Sequence, residues 1–228
     1  MLLKFIYLIA TLIDIPLYAL WRASGWDLDN ELPDEDKFML AMGYHTSIND
    51  YFHSIPPTIH MRRRPRIMMK KELLNNPIYG WLLRLGGGFG VDRSRSHNYV
   101  QTLAEQLKQE DRLVMIIAPE GTRKHTDDWK TGFYHIAVSA NLPLVLAYLD
   151  YDRKRIGFSE VYHPTGDIIA DYQWMRDFFA EHGSARFADQ FALPDMEKLR
   201  ARVSKQQSRL SVANTSEEIL VDPTFVTT

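Results

Sequence analysis

The chain has 228 residues, no cysteine and a formal net charge of −2. That is room for one substantial domain with short additions, and it excludes disulfides, thiolate metal sites and a cysteine nucleophile. A hydrophobic share of 45% with 12% aromatics supports a packed core and excludes wholesale disorder.

Residues 2–21 are apolar except for Lys4, Thr11, Asp14 and Pro16. A run of about 20 apolar residues can span a bilayer as one helix. Asp14 opposes a simple span, because a central carboxylate costs roughly 2.5–3.5 kcal/mol on insertion scales, and Pro16 breaks the helix shortly after. The pattern predicts two short helical pieces lying in or dipping into one leaflet, with Trp21 and Trp26 near the interface. A core hairpin and a signal peptide are the other readings. The short n-region and the lack of a small-residue cleavage site argue against the signal peptide.

From Phe38 the pattern alternates. Phe38–Met42 and Arg66–Met69 read as short strands. Asn76-Pro77 reads as an N-cap and first-turn proline opening a helix through Leu85, ended by Gly86-Gly87-Gly88. His97–Glu110 carries Val100, Leu103, Ala104 and Leu107 at helical spacing. Leu113–Ile117 is a buried strand, Lys130–Ala140 a helix, Leu142–Leu149 a second buried strand and Arg155–Val161 an edge strand. Asp171–His182 and Pro194–Leu210 read as further helices, and 211–228 as a loose polar tail. Alternation of this kind predicts an α/β fold, a mixed sheet flanked by helices. The expected organisation is a membrane-associated helical element over 1–26, a catalytic domain over 27–210 and a tail over 211–228. Because the alternation starts only at Phe38, the catalytic domain is expected to tolerate loss of 1–26.

Two turns carry the chemistry. His45-Thr46-Ser47-Ile48-Asn49-Asp50 offers an imidazole with a carboxylate five residues on. A carboxylate can fix an imidazole tautomer and stabilise the imidazolium formed in general-base work. Ala118-Pro119-Glu120-Gly121-Thr122-Arg123 follows an apolar run. Its glycine lets the backbone approach a phosphate, and its guanidinium is a planar, permanently charged fork.

In order along the chain, these two turns resemble signature blocks of the glycerolipid acyltransferase family, which includes 1-acyl-glycerol-3-phosphate acyltransferase. Between them, Gly87-Gly88-Phe89-Gly90-Val91-Asp92-Arg93 is similar to the family's Gly-rich block ending in Asp-Arg, and Lys70-Lys71-Glu72-Leu73 to its Lys-x-Glu-Leu segment. Leu142-Pro143-Leu144-Val145-Leu146 is similar to its apolar-proline block. The resemblance covers about residues 38–150. Tyr44 stands where the family usually has Asn, and Gly90 where it usually has a larger apolar residue or Pro.

The resemblance implies His45 as general base and Asp50 as its orienting partner. It implies acyl transfer from acyl-CoA or acyl carrier protein to a lysophospholipid hydroxyl, lysophosphatidic acid by default, with no cofactor or metal. Lys70, or backbone amides near the His45 turn, are the candidate oxyanion donors. Arg93 and Arg123 are the candidate phosphate ligands, with Gly121, Thr122 and Pro143 beside them. Glu120 either holds a glycerol hydroxyl or pins Arg123. Residues 60–130 hold 14 Lys+Arg against 8 Asp+Glu, densest at Arg62, Arg63, Arg64, Arg66, Lys70 and Lys71. That excess reads as a solvated loop or as attraction to anionic lipid or a nucleotide-bearing donor. A nucleic acid partner is disfavoured, because the whole chain is acidic and the cluster lacks interleaved aromatics. The expected location is the cytoplasmic face of a membrane, through a monotopic or re-entrant N-terminus. Two other classes compete: a metal-dependent hydrolase using His45, Asp50 and His53, and a catalytically idle membrane-surface binding protein.

Overall fold

A computed structural model of the chain describes residues 15–60, 65–85, 87–91 and 96–221. Its centre is a seven-stranded sheet in the order β1-β7-β6-β2-β5-β3-β4. The strands are β1 (Asp27–Leu28), β2 (Lys37–Met42), β3 (Pro65–Lys70), β4 (Gly88–Val91), β5 (Leu113–Ile117), β6 (Leu144–Asp150) and β7 (Arg155–Phe158). From β6 to β4 all neighbours run parallel. β7 turns back antiparallel on β6, and β1 lies parallel to β7. The helices are α1 (residues 15–23), α2 (Asn49–His60), α3 (Lys71–Leu74), α4 (Gly80–Leu85), α5 (Ser96–Lys108), α6 (Gly132–Ala140), α7 (Ile168–Glu181) and α8 (Met196–Val221).

The central strands are unbroken apolar runs because both of their faces are covered. Successive side chains alternate between two cores. Met39, Ala41, Met115, Ile117, Leu144 and Leu146 pack with Leu103 of α5, Phe133 of α6, Phe179 of α7 and Leu199 of α8. Phe38, Leu40, Val114, Ile116, Val145 and Leu149 face the other way, onto Trp21, Trp26 and Leu32.

That second core corrects the placing of the N-terminal tryptophans. Trp21 and Trp26 are each only 5% exposed. They roof the sheet and do not stand at an interface. The Tyr18 ring also stacks on His60 of α2, with centroids 3.8 Å apart. An apolar segment is drawn equally to a lipid phase and to an uncovered sheet face, and here the sheet face takes the indoles. Residues 1–14, with Asp14, lie outside the described residues.

Three further expectations shift. The strand at Arg155 is not an edge, because Asp27 and Leu28 pair with Arg155 and Ile156. The helix after Asn76 starts at Gly80; Asn76 Oδ1 still accepts the amides of Ile78 at 2.9 Å and Tyr79 at 3.3 Å, capping the turn that leads into it. α8 continues to Val221, into the segment read as a tail; residues 222–228 are not described. Its early residues Met196 and Leu199 are buried, and beyond them the sequence is rich in good helix formers with no apolar stripe to betray the helix.

Emptying a buried Trp site costs about 3–5 kcal/mol, so Trp26→Ala should lower the urea midpoint by that much stability without changing the slope. A chain starting at residue 27 should lose its cooperative unfolding transition, while one starting at residue 15 should keep it. Wild-type stability in the chain from residue 27 would make α1 peripheral.

Candidate active site

Parallel strands place their carboxyl ends along one edge, and open α/β sheets build sites there. β2 delivers the first turn to that edge. A Cβ on Gly43 would lie 2.6 Å from the Phe179 ring, so only glycine lets the strand leave beside α7. Tyr44 follows in the left-handed region at φ 64°, a conformation that costs a bulky residue energy. Its ring stacks on Phe191 at 3.9 Å and its hydroxyl donates to the Phe179 carbonyl, which hold it there. Burial, then Asp150 and Glu120, push that hydroxyl up to about 12, so it stays a donor.

The chain then enters α2 through a reciprocal cap. Ser47 Oγ accepts the Asn49 amide at 3.1 Å, and Asp50 Oδ2 accepts the Ser47 amide at 2.7 Å. This cap fixes a fully buried carboxylate. The same Oδ2 lies 3.3 Å from His45 Nδ1, an ion-pair distance whose alignment falls short of a hydrogen bond. Loose pairs of this kind are usual before substrate binds. The His45 side chain is 24% exposed while Asp50 is at 0%, so the imidazole reaches the surface from a buried anchor. The other oxygen, Asp50 Oδ1, accepts the Tyr151 hydroxyl at 2.6 Å.

β5 delivers the second turn. The Gly121 amide closes it onto the Ala118 carbonyl at 3.0 Å, with Gly121 at φ 65°. Glu120 is 4% exposed, and its Oε1 accepts the His45 amide at 3.3 Å. Its Oε2 has no partner among the described residues. Burial raises Glu120 from 4.5 to about 7, against lowering by backbone donors and by His45. Glu120 therefore ties the two turns together and does not pin Arg123. Arg123 is exposed and pairs with none of the described residues. Thr122 Oγ1 accepts the Lys124 amide at 3.2 Å and so shapes the loop.

Lys70 ends β3 opposite Val91, and the pairing of Ile67 with Ile116 brings it to the same edge as Glu120. Arg93 lies outside the described residues. Pro143 is not brought to the site. It precedes β6 at the other end of the sheet, where its carbonyl accepts the Met39 amide at 2.9 Å; the apolar-proline block builds a central strand. His53 is turned away from a shared ligand position, with its ring stacked on Trp26 at 4.1 Å. Among the described residues no group of three or more His, Asp or Glu converges as a metal site.

Two contributors escaped the sequence. Tyr151 stands 101 residues from Asp50, and nothing local marks it. The connector between α7 and α8 spans both turns: the Phe187 amide donates to Thr46 Oγ1 at 3.3 Å, and His125 Nδ1 lies 3.2 Å from the Asp189 carbonyl. Its mixed, aperiodic sequence carries no signal of that placement.

A family model described as Acyltransferase matches residues 29–149. The chain is 27% identical over 132 residues to a 1-acyl-sn-glycerol-3-phosphate acyltransferase of Haemophilus influenzae, a match covering 55% of each protein. It is 29% identical over 133 residues to that of Streptococcus pneumoniae, covering 55% of this chain and 48% of the relative. It is 37% identical over 82 residues to human 1-acyl-sn-glycerol-3-phosphate acyltransferase beta, covering 33% and 29%. The chain thus spans about half the length of the bacterial relatives, and less of the human one. The crystal structure of a 1-acyl-sn-glycerophosphate acyltransferase from Thermotoga maritima is similar at a TM-score of 0.48 and 16% identity, covering 75% of this chain and 77% of that one.

Glu120 makes stability depend on pH. Its folded-state value stands above the unfolded one, so the folded protein keeps a proton that the unfolded chain gives up. The contribution is complete below pH 4.5 and is lost as pH rises through about 7. The full swing is about 3 kcal/mol. Glu120→Gln should therefore flatten the fall in stability between pH 5 and pH 8, and should be the more stable protein at pH 8. Parallel pH profiles of urea midpoint for the two proteins would show that Glu120 is not the group responsible.

Proposed function

The chain belongs to the acyltransferase family, and we propose that it moves a fatty acyl group from acyl-CoA or acyl carrier protein to the free hydroxyl of a lysophospholipid, lysophosphatidic acid first. The observation that carries this reading is the buried Asp50 carboxylate set against a surface-reaching His45, on the same sheet edge as an exposed Arg123 that pairs with none of the described residues. Asp50 faces Nδ1, so Nε2 is the atom left to take the hydroxyl proton. The alkoxide attacks the thioester carbonyl carbon, and the tetrahedral oxyanion collapses with cleavage of the C–S bond. The proton on the imidazolium passes to the departing thiolate. Asp50 stabilises that imidazolium throughout.

The oxyanion needs a donor in place. The amides of His45, Thr46, Ser47 and Asn49 already have acceptors in Glu120, Tyr44, Asp50 and Ser47. Lys70, at the end of β3, or the Ile48 amide of the turn is then the donor in this mechanism. Arg123, joined by Arg93, takes the acceptor's phosphate. Glu120, whose Oε2 has no partner among the described residues, takes a glycerol hydroxyl.

The acceptor is an amphiphile, so the site must open toward a lipid surface. Among the described residues, Ile48 and Phe52 beside the catalytic turn, and Ile78 and Trp81 beyond β3, are exposed at 55%, 63%, 81% and 58%. A rim of this kind supports docking on a bilayer with the site facing it. Ile15 and Leu20 of α1 are also exposed, which supports a monotopic or re-entrant N-terminal contact with a membrane. No helix of the described residues is long and apolar enough to cross a membrane.

His45→Ala should lower kcat by roughly 10²–10⁴-fold, the worth of a positioned general base, with binding to lysophospholipid vesicles retained. Near-normal turnover would sink the mechanism. Arg123→Ala should lose about 1.5–3 kcal/mol in kcat/KM, the worth of hydrogen bonds to a charged group, on lysophosphatidic acid and much less on monoacylglycerol. Arg123→Lys should recover part of it. Equal losses on both acceptors would move the phosphate site elsewhere.

A further inference from the structure

Asp50 can orient His45 only if its own carboxylate is fixed. Rotation about the Cβ–Cγ bond would carry Oδ2 away from Nδ1. The Ser47 amide holds Oδ2 at 2.7 Å, and the Tyr151 hydroxyl holds Oδ1 at 2.6 Å. A donor on each oxygen locks the carboxylate plane. Burial first, then the bond to Asp50, push the Tyr151 hydroxyl well above its ordinary range, so it remains a donor at any working pH.

Tyr151 is itself braced. It follows β6 at the turn into β7, and its ring meets Trp26 edge-on at 5.1 Å and 89°. It also meets His53 edge-on at 5.8 Å and 83°. Trp26 is stacked on His53 at 4.1 Å and 21°. The three rings support one another, and the tyrosine hydroxyl reaches from the group to Asp50.

We propose that Tyr151 is a positioning residue: it fixes the Asp50 carboxylate, and through it the tautomer of His45, while Trp26 and His53 fix Tyr151. The proposal rests on the reading of His45 as general base. It places part of the catalytic support in the β6–β7 turn and in the segment after α1, outside the turns that carry the reacting groups.

The test combines turnover with nitrogen-15 NMR of His45, whose signal is assigned by its loss in His45→Ala. Tyr151→Phe keeps the ring against Trp26 and His53 and removes only the hydroxyl. It should lower kcat roughly tenfold, the scale of one hydrogen bond to a charged group, with KM unchanged. In the protein without substrate, the His45 nitrogens should move from the Nδ1–H tautomer toward a mixture of both. Asp50→Asn should show the larger form of each effect. Adding Tyr151→Phe to Asp50→Asn should change neither further, because the two residues act as one unit. Unchanged His45 tautomers in Tyr151→Phe, or losses that multiply fully in the double variant, would overturn the proposal. The NMR arm needs no substrate. A wrong function would show in the His45→Ala turnover, and a wrong positioning role would show in the tautomer populations.

Discussion

Everything at the site depends on where β2 sits. It lies in the middle of the sheet, parallel to β5 on one side and to β6 on the other, with Ala41 level with both Ile117 and Leu146. The strand is buried on both faces, so its exit is confined to the carboxyl edge. Gly43 against Phe179 and the left-handed Tyr44 then bend the chain within two residues. That bend aims the His45 amide at Glu120. A slip of one residue in the β2–β5 register would exchange the two faces of the strand and part the two turns. The register of two apolar strands is therefore the physical basis of the approach of the two turns.

The two carboxylates at that edge are held in opposite ways. Asp50 is fully buried with a donor on each oxygen. Glu120 is buried as deeply but has one long bond to His45 and an oxygen with no partner among the described residues. A buried polar atom left unsatisfied is costly and marks a place where something else binds or reacts. The sheet edge thus holds one carboxylate through both of its oxygens and the other through one oxygen only among the described residues. Environments that separate two neighbouring acids assign them different tasks. Asp50 stands beside the imidazole, and Glu120 joins the two turns.

The central strands, α5 and the positions of the two turns at the sheet edge were legible because their signals are local. A short apolar run of five residues, rich in β-branched side chains and flanked by polar ones, favours a strand covered on both sides, as at Leu113–Ile117. The turns announce themselves through His45, Gly121 and Arg123, whose chemistry is uncommon in that order. Tyr151 was not legible, since its partner is a hundred residues away and one tyrosine after an apolar strand looks like packing. β1 was hidden because two residues carry no period. Pro143 was misplaced because its block was read for chemistry, whereas its apolar neighbours Leu144, Val145 and Leu146, all fully buried, are sheet core.

The N-terminal segment shows why hydropathy alone could not place it. A helix that is apolar all round needs cover on every side. The sheet covers one side of α1 and the turn after it, taking Trp21 and Trp26, while Ile15 and Leu20 stay exposed on the other. In the proposed function those outward residues meet lipid. Folding and membrane contact are then served by opposite faces of one element. The Trp26 that roofs the sheet also braces the tyrosine that holds Asp50. Contact at the lipid surface and geometry at the reacting pair are thereby only a few side chains apart. The segment over α1 and Trp26 is therefore no separable module, because removing it would uncover the sheet and take away the ring that braces Tyr151 against Asp50.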